Sequence, residues 1–311
     1  MSGGWNTIES DAGVFTYLVE NLGVKNVQFE ELISLDAEFL RQQSPVYGVI
    51  FLFKYPTGER PTGVPRDGSF DRDVADEDLF FAAQTIQNAC GTQALLSVLL
   101  NKEDEIDLGP QLKEFKEFTR AFPSELRGEA LSNSELIRDV HNSFARSSPF
   151  VDETQRIATE DDDVYHFIAY TPINGVLYEL DGLQPAPISH GPCSNDEFPD
   201  KVIPVLQHRI NRYPANEIRF NLLAMVRDLR IRALEIGDQD WLYRENQKRS
   251  AWQWENALRR HNFVGFINEI LKGVVRSKLK EGGSAYDKWV EEASSRTLAR
   301  MEGNSRKNES G

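Results

Sequence analysis

The 311-residue chain has only two cysteines, Cys90 and Cys193, so it can form neither a disulfide framework nor a four-cysteine zinc site. It is also short of basic side chains, with 35 Lys and Arg against 49 Asp and Glu and a net charge of −14. No nucleic-acid partner is therefore expected, whereas a basic protein partner or substrate is compatible with the charge. The first residues lack a cationic apolar leader, and no apolar run reaches the roughly 18 residues of a membrane span. We expect a soluble, intracellular protein with no membrane partner.

Charge divides the chain into two parts. Residues 1–228 carry 19 basic and 37 acidic side chains, whereas residues 229–311 carry 16 basic and 12 acidic ones. Such a change of sign is typical of a second module with its own partner. The sequence therefore predicts a domain over 1–228 and a C-terminal extension over 229–311.

Strand and helix patterns alternate in the first part. Ser10 is predicted to cap a helix that closes at Gly23, and residues 47–55 form an apolar run long enough for a strand buried on both faces. A Pro-, Gly- and Asp-rich stretch over 56–78 is predicted to be a surface loop. Two strand-like runs, 164–171 and 176–180, flank Asn174-Gly175, the strongest short hairpin signal. Further helices are predicted over 94–100, 112–122, 134–144 and 202–210, the last with Pro204 in its first turn, and a strand over 218–226.

Helical spacing dominates the end of the chain. Apolar residues recur at helical intervals over 263–275, and no strand pattern follows residue 228. The sequence thus predicts an α/β (α+β) domain with an antiparallel component, followed by an all-α extension.

Cys90 lies directly before an apolar helical run. A thiol at a helix N-terminus faces unpaired N–H groups and the positive end of the dipole, which favours the thiolate. The alternative is a small buried residue that begins a helix, and for an isolated cysteine this alternative is the more common one. Cys193 has no such context and is predicted to be inert.

The hairpin supplies two partners for that thiol. If Asn174-Gly175 is a two-residue turn, residue 181 lies opposite residue 168, and His166 and Asp181 become diagonal neighbours on one face. A carboxylate in this position can orient an imidazole and stabilise its charged form. Gln84, six residues before Cys90, could donate to an oxyanion, although a loop glutamine alone is more often exposed. The remaining histidines have no metal-ligand spacing, so neither a metal nor a cofactor is expected.

These residues lie in recognisable motifs. The segment from Gln84 to Thr92, with Asn88-Ala89-Cys90-Gly91, resembles the catalytic segment of the ubiquitin carboxyl-terminal hydrolases, a family of papain-like cysteine proteases. The region of His166 and the run Leu180-Asp181-Gly182 resemble that family's histidine and aspartate motifs. Segments near residues 9, 45, 132, 141 and 219 also resemble motifs of the family, especially those of its long, proteasome-associated member. The resemblance extends over most of residues 5–228.

The resemblance implies a specific reaction. Cys90 would be the nucleophile, His166 the general base and then acid, Asp181 the orienting carboxylate and Gln84 an oxyanion-hole donor. Attack on the terminal glycine carbonyl of ubiquitin would give a thioester that water hydrolyses. The family fold is a knotted α/β domain whose mostly antiparallel central sheet is flanked by helices.

The resemblance also implies contacts with ubiquitin. A crossover loop would span the site at about residues 143–163, ending in the acidic run 160–163, for which attraction to ubiquitin's basic tail is a hypothesis and a solvated charge run the alternative. Trp5 and Phe220 lie in segments that contact ubiquitin in relatives, although an aromatic residue is more often simply packed.

The C-terminal extension resembles one found in the long members of the family. There it binds a helical adaptor domain of a proteasomal ubiquitin receptor, and a related one in a chromatin-remodelling complex. Here Trp254, Phe263, Phe266 and Ile270 would contact such an adaptor, through an amphipathic helix suited to groove binding. Packing of this face on the catalytic domain is the alternative. A cytoplasmic and nuclear location follows from this resemblance.

Two other functions fit the same residues. One is a catalytically silent scaffold that binds ubiquitin and organises a complex. The other is a hydrolase for a different ubiquitin-like modifier, since the residue types of a catalytic triad do not identify the substrate.

Overall fold

The computed structural model describes residues 4–55, 64–72, 79–86, 88–144, 165–214 and 217–309, with side chains to residue 299. The chain forms two compact units. The first comprises Met1–Arg146 and Asp152–Arg260, and the second Ser147–Val151 and His261–Gly311. No helix among the described residues is both long and apolar enough to cross a membrane.

Strands and helices alternate in the first unit. The strands are β1 (Val27–Glu31), β2 (Val46–Lys54), β3 (Ser69–Phe70), β4 (Tyr165–Ile173), β5 (Val176–Leu180), β6 (Ile188–Pro192) and β7 (Asn221–Arg227). The helices are α1 (Ala12–Asn21), α2 (Ala37–Arg41), α3 (Cys90–Leu99), α4 (Gly109–Thr119), α5 (Ser124–Asn133), α6 (Glu135–Asn142), α7 (Phe198–Ile210), α8 (Leu229–Ile236) and α9 (Gln239–Arg260). The second unit contains α10 (Val264–Lys280) and α11 (Gly283–Glu309).

The seven strands form one sheet in the order β1-β7-β2-β4-β5-β6-β3, and every pairing is antiparallel. Because successive side chains of a strand point to opposite faces, the sheet supports two apolar cores. On β4, Phe167 and Ala169 lie in the core that includes α1 and α3, whereas Ile168 and Tyr170 lie in the core that includes α2 and α7. The predicted α/β class with a central antiparallel sheet and flanking helices is confirmed.

The hairpin of β4 and β5 has the predicted register. Ile173 pairs with Val176 and Ala169 with Leu180, the pattern that a two-residue Asn174-Gly175 turn requires. Both turn residues have positive φ, 49° and 78°, as a type I′ turn demands. This register brings residues 166 and 181 to the same end of the sheet.

Several predicted boundaries are wrong. The cap of α1 is Asp11, whose carboxylate accepts from the Val14 N–H at 2.9 Å, while Ser10 Oγ contacts Asn221 Oδ1 at 2.6 Å. Helix α7 begins at Phe198, so Pro204 lies in its interior rather than in its first turn. The apolar face of α7, which buries Phe198 and nearby aliphatic residues, offsets the lost backbone hydrogen bond. Strands β1 and β6 and helices α2 and α5 were not predicted, and the short strand β3 lies in the stretch 56–78 that was predicted to be a loop.

Helix α9 belongs to the first unit, although the sequence pattern assigned it to the extension. Asn256 Nδ2 donates to Gly13 O at 3.0 Å, and Arg259 Nη2 donates to Asp11 Oδ2 at 2.8 Å. Trp252 packs directly on Gly13, where a Cβ would lie 2.7 Å from the indole. The first compact unit therefore continues past residue 228 to residue 260.

The second unit is helical, as predicted. Helix α10 has no buried residue, and most of its apolar side chains are exposed, including Phe266 at 62% and Ile270 at 48%. The apolar periodicity of α10 therefore produces an uncovered face within this unit.

Candidate active site

Cys90 is the first residue of α3. Asn88 two residues before it has a positive φ of 72°, and its side chain donates to Trp5 O at 3.2 Å, so the turn that leads into the helix is tied to the N-terminal segment. The rest of α3 is buried, whereas Cys90 itself is half-buried. The helix thus fixes the position of a thiol that remains accessible at its positive end.

His166 and Asp181 form a buried pair on the sheet. His166 Nε2 lies 2.7 Å from Asp181 Oδ1, and the two residues are 3% and 1% exposed. The same carboxylate accepts from the Leu183 N–H at 3.0 Å. Phe53 and Tyr55 meet the imidazole edge-on, with ring centroids 5.8 Å and 5.5 Å away. Both the orientation and the position of the ring are therefore constrained.

The electrostatics of this pair favour an imidazolium. Burial alone would lower the pKa of His166, but the charge and hydrogen bond of Asp181, with smaller contributions from Cys90, raise it to about 9. Burial would likewise raise the pKa of Asp181, but His166 and the Leu183 N–H hold that pKa below its usual value. Cys90 is close enough to interact with the imidazole, so the three predicted residues lie at one site.

Gln84 lies beside the same site because its segment packs on Gly182. The Gln84 N–H donates to Gly182 O at 2.8 Å. A Cβ on Gly182 would lie 2.2 Å from Gln93 Nε2 and 3.0 Å from Gln84 Cβ, so only glycine permits this approach. The turn after Asp181 and the segment before Cys90 are thereby held together.

A second histidine supports α3 from behind, and the sequence did not assign it a role. His141 Nδ1 lies 2.7 Å from Thr92 Oγ1, and its Nε2 lies 2.5 Å from Asn6 O. Because a carbonyl oxygen can only accept, Nε2 donates to Asn6 and Nδ1 accepts from Thr92. Burial lowers the pKa of His141, consistent with this neutral tautomer. A histidine in the last turn of a short helix gives no pattern that distinguishes such a role from an exposed one.

The residues predicted to contact ubiquitin differ in exposure. Trp5 is only 1% exposed and packs edge-on against His141 at 4.8 Å, which favours the packing alternative over a surface contact. Phe220 is partly buried and stacks on Phe51 at 5.7 Å. The crossover loop was predicted at about residues 143–163, and all of it after residue 144 lies outside the described residues, including the acidic run 160–163.

The residues predicted to contact an adaptor are exposed in their own units. Trp254, on α9 of the first unit, is 66% exposed, and Phe263, in the second unit, is 38% exposed. Among the residues that the structure describes, no group of three or more His, Cys, Asp or Glu side chains could hold a metal ion.

Comparisons with known proteins agree with the motifs. Residues 5–211 match the family model described as ubiquitin carboxyl-terminal hydrolase, family 1, and residues 239–279 match one described as ubiquitin carboxyl-terminal hydrolases. Ubiquitin carboxyl-terminal hydrolase 2 of Schizosaccharomyces pombe is 54% identical over 282 residues, which cover 88% of this chain and 92% of that protein. Ubiquitin carboxyl-terminal hydrolase isozyme L5 of Dictyostelium discoideum is 37% identical, with coverage of 87% and 91%.

A solved structure is similar as well. Trichinella spiralis UCH37 bound to ubiquitin vinyl methyl ester superposes with a TM-score of 0.62 at 35% identity, covering 82% of this chain and 99% of that one.

A thiol at a helix N-terminus beside an imidazole–carboxylate pair on an antiparallel sheet is the arrangement expected of a cysteine peptidase. The family model for residues 5–211 spans most of the chain, and the relatives match over nearly their whole length. The chain therefore belongs to the ubiquitin carboxyl-terminal hydrolase family and is a ubiquitinyl hydrolase with a C-terminal extension.

Proposed function

We propose that the protein hydrolyses the bond after the C-terminal glycine of ubiquitin through Cys90, His166 and Asp181. The observation that carries the proposal is the buried His166–Asp181 pair, 2.7 Å apart, beside a thiol at the start of α3. Because Asp181 engages Nε2, Nδ1 is the nitrogen that exchanges a proton with sulfur. An imidazolium at this position stabilises the thiolate, which is the attacking species.

The reaction proceeds in two steps, acylation of Cys90 and hydrolysis of the thioester. The Cys90 thiolate attacks the glycine carbonyl carbon, the C–N or C–O bond to the leaving group breaks, and the imidazolium gives the departing atom its proton. Water then attacks the thioester carbon while His166 takes one of its protons, and the C–S bond breaks to restore the thiolate. The carboxylic acid that forms loses its proton to solvent and leaves as the carboxylate. The Cys90 N–H and the Gln84 side chain donate to the oxyanion, a contribution worth about 3 kcal/mol per donor in other hydrolases.

Turnover of a fluorogenic ubiquitin substrate tests this mechanism. We expect Cys90→Ala to lower kcat by at least ~10³-fold, since removal of a catalytic nucleophile leaves only binding and oxyanion stabilisation. Cys193→Ala is the matched control and should retain wild-type kcat, because Cys193 is buried and lies in the opposite core. Turnover by Cys90→Ala close to that of the wild type would contradict the proposal.

The same assay distinguishes the alternatives. A silent scaffold would bind ubiquitin but give neither turnover nor capture by a ubiquitin C-terminal electrophile. A hydrolase for another modifier would react with a probe built on that modifier and not with the ubiquitin probe. The presence of an accessible thiol beside an imidazolium favours the enzyme over the scaffold.

We further infer that the exposed apolar face of α10 binds a helical adaptor of the proteasomal ubiquitin receptor, and that the enzyme acts in the cytoplasm and nucleus. Support comes from the exposure of Phe266 and Ile270 and from the match of residues 239–279 to the extension model. A related adaptor of a chromatin-remodelling complex is a second candidate partner.

Isothermal titration with each recombinant adaptor tests this inference. The double variant Phe266→Ser, Ile270→Ser should bind at least ~30-fold more weakly, because removing each apolar side chain should cost about 1 kcal/mol or more of binding free energy. Glu269→Gln on the same helix is the control. Unchanged affinity of the double variant would contradict the proposed surface.

A further inference from the structure

A buried polar network lies behind the catalytic histidine. Glu179, whose side chain is 4% exposed, accepts from Tyr170 OH at 2.9 Å and from Arg209 Nη1 at 2.5 Å. His190 Nε2 lies 3.2 Å from the same carboxylate. These residues come from β5, β4, α7 and β6, so one carboxylate joins four elements. These partners offset the cost of burying the Glu179 carboxylate.

Arg209 connects this network to the active site. Its guanidinium lies 4.7 Å from the centroid of the Phe53 ring, within cation–π range. Phe53 pairs with His166 across β2 and β4, and its ring meets the imidazole edge-on at 5.8 Å. Glu179 therefore holds Arg209, Arg209 holds Phe53, and Phe53 contacts the imidazole.

The same guanidinium also acts on the carboxylate of the pair. Burial raises the pKa of Asp181, and the positive charge of Arg209 is one of the influences that lower it, after those of His166 and the Leu183 N–H. Arg209 has only 14% of its side chain exposed, so solvent screens this charge weakly. Its influence on the reaction is therefore indirect, through the residues that surround the imidazole.

We propose that Arg209, held by Glu179, is a positioning residue that fixes the Phe53 ring against His166 and so aligns the imidazole with Cys90. The inference rests on the proposed function, because its effect is on proton exchange between His166 and Cys90. A buried ion pair contributes little net stability, since desolvation offsets the attraction, and two uncharged residues can often replace it. Stability therefore does not explain the buried Arg209–Glu179 pair, whereas alignment of His166 does.

A double-mutant cycle separates positioning from stability. Arg209→Met takes the guanidinium away from buried Glu179, and Glu179→Gln takes the carboxylate away from buried Arg209, so each should lower the melting temperature. The double variant removes both charges and should recover it. We expect kcat to fall about tenfold or more in all three variants with KM within about twofold, because misalignment affects the chemical step. Arg41→Met is the matched control, since it breaks an exposed ion pair to Asp200, a residue of the helix that also carries Arg209.

Two outcomes would overturn the proposal. One is recovery of kcat in the double variant together with its melting temperature, the result of a purely structural role. The other is wild-type activity in a folded Arg209→Met variant. If Arg209→Met does not fold, the double variant and Arg209→Lys are measured instead. Arg209→Lys keeps the positive charge but loses the planar guanidinium that lies against Phe53.

A second readout does not depend on ubiquitin. The rate at which iodoacetamide alkylates Cys90, followed by mass spectrometry of its peptide, reports how well the imidazole supports the thiolate. We expect the double variant to react at least about threefold more slowly than Arg41→Met at pH 7, and equal rates would overturn the proposal. Absence of ubiquitin turnover in the wild type would contradict the proposed function alone, since the alkylation rates would still decide this inference.

Discussion

At the scale of single residues, His166 is the group whose environment matters most. Its imidazole is buried, yet its pKa is raised to about 9 because Asp181 stabilises the charged form. A histidine of this kind stabilises the folded state when it is protonated in that state and less so when it is not. The active site therefore makes folding stability depend on pH.

The sign of that dependence follows from the direction of the shift. Because the folded pKa lies above the unfolded value of about 6.5, the contribution is fully present below pH 6.5 and is lost as pH rises through about 9. We expect the difference in free energy of unfolding between wild type and His166→Gln to be about 3 kcal/mol larger at pH 6 than at pH 9.5. Urea denaturation at both values measures it, and a difference independent of pH would contradict the interpretation.

Gly182 is a second residue whose identity is dictated by its surroundings. An alanine there would force Gln93 or the Gln84 segment to move, since its Cβ would lie 2.2 Å from Gln93 Nε2. We expect Gly182→Ala to lower the free energy of unfolding by about 1–3 kcal/mol and to reduce kcat. Gly265→Ala is the control, because no atom lies within 4 Å of a Cβ at that position. Equal stability of the two variants would show that the turn adapts freely.

At the scale of elements, the parts that the sequence predicted are those whose signals are local. The Asn174-Gly175 turn sets the register of β4 and β5, and that register is sufficient to place His166 beside Asp181. The approach of Cys90 could not be predicted in the same way, because it depends on packing of α3 against β4. The resemblance of motifs, rather than spacing, pointed to it.

Helix α5 shows why other elements were missed. Its buried residues are Arg127, Gly128 and Leu131, so it presents no apolar stripe to the core. The Arg127 guanidinium instead donates to backbone carbonyls, including that of Leu79 at 3.0 Å. A helix that buries hydrogen-bonded arginine carries no hydrophobic periodicity, and periodicity is the signal on which the prediction of helices depends.

The packing of α9 on α1 gives a prediction at this scale. Alanine at Gly13 would place its Cβ 2.7 Å from the Trp252 indole and should destabilise the protein by about 1–3 kcal/mol. In a Trp252→Ala background the same change should be neutral or stabilising by up to about 1 kcal/mol, since alanine favours helix. A urea-denaturation cycle of the four proteins measures the coupling, and additive effects would argue against this contact.

At the scale of the whole molecule, the change of charge sign at residue 228 has a structural explanation. Basic residues of α9 pair with acidic residues of the acidic part, as Lys248 does with Glu30 and Arg249 with Glu20. The positive charge that suggested a separate module thus serves, over 229–260, to attach this helix to the acidic domain. Composition could detect the complementarity of the two segments but not that they belong to one unit.

The place of β2 in the sheet constrains how the protein is made. β2 ends at residue 54, whereas its two neighbours begin only at residues 165 and 221. On the ribosome, this apolar segment must therefore emerge long before either strand that will cover it. A nascent chain halted before residue 221 already carries its thiol, imidazole and carboxylate, but its sheet is incomplete, so translation of nearly the whole first unit precedes assembly of the hydrolase.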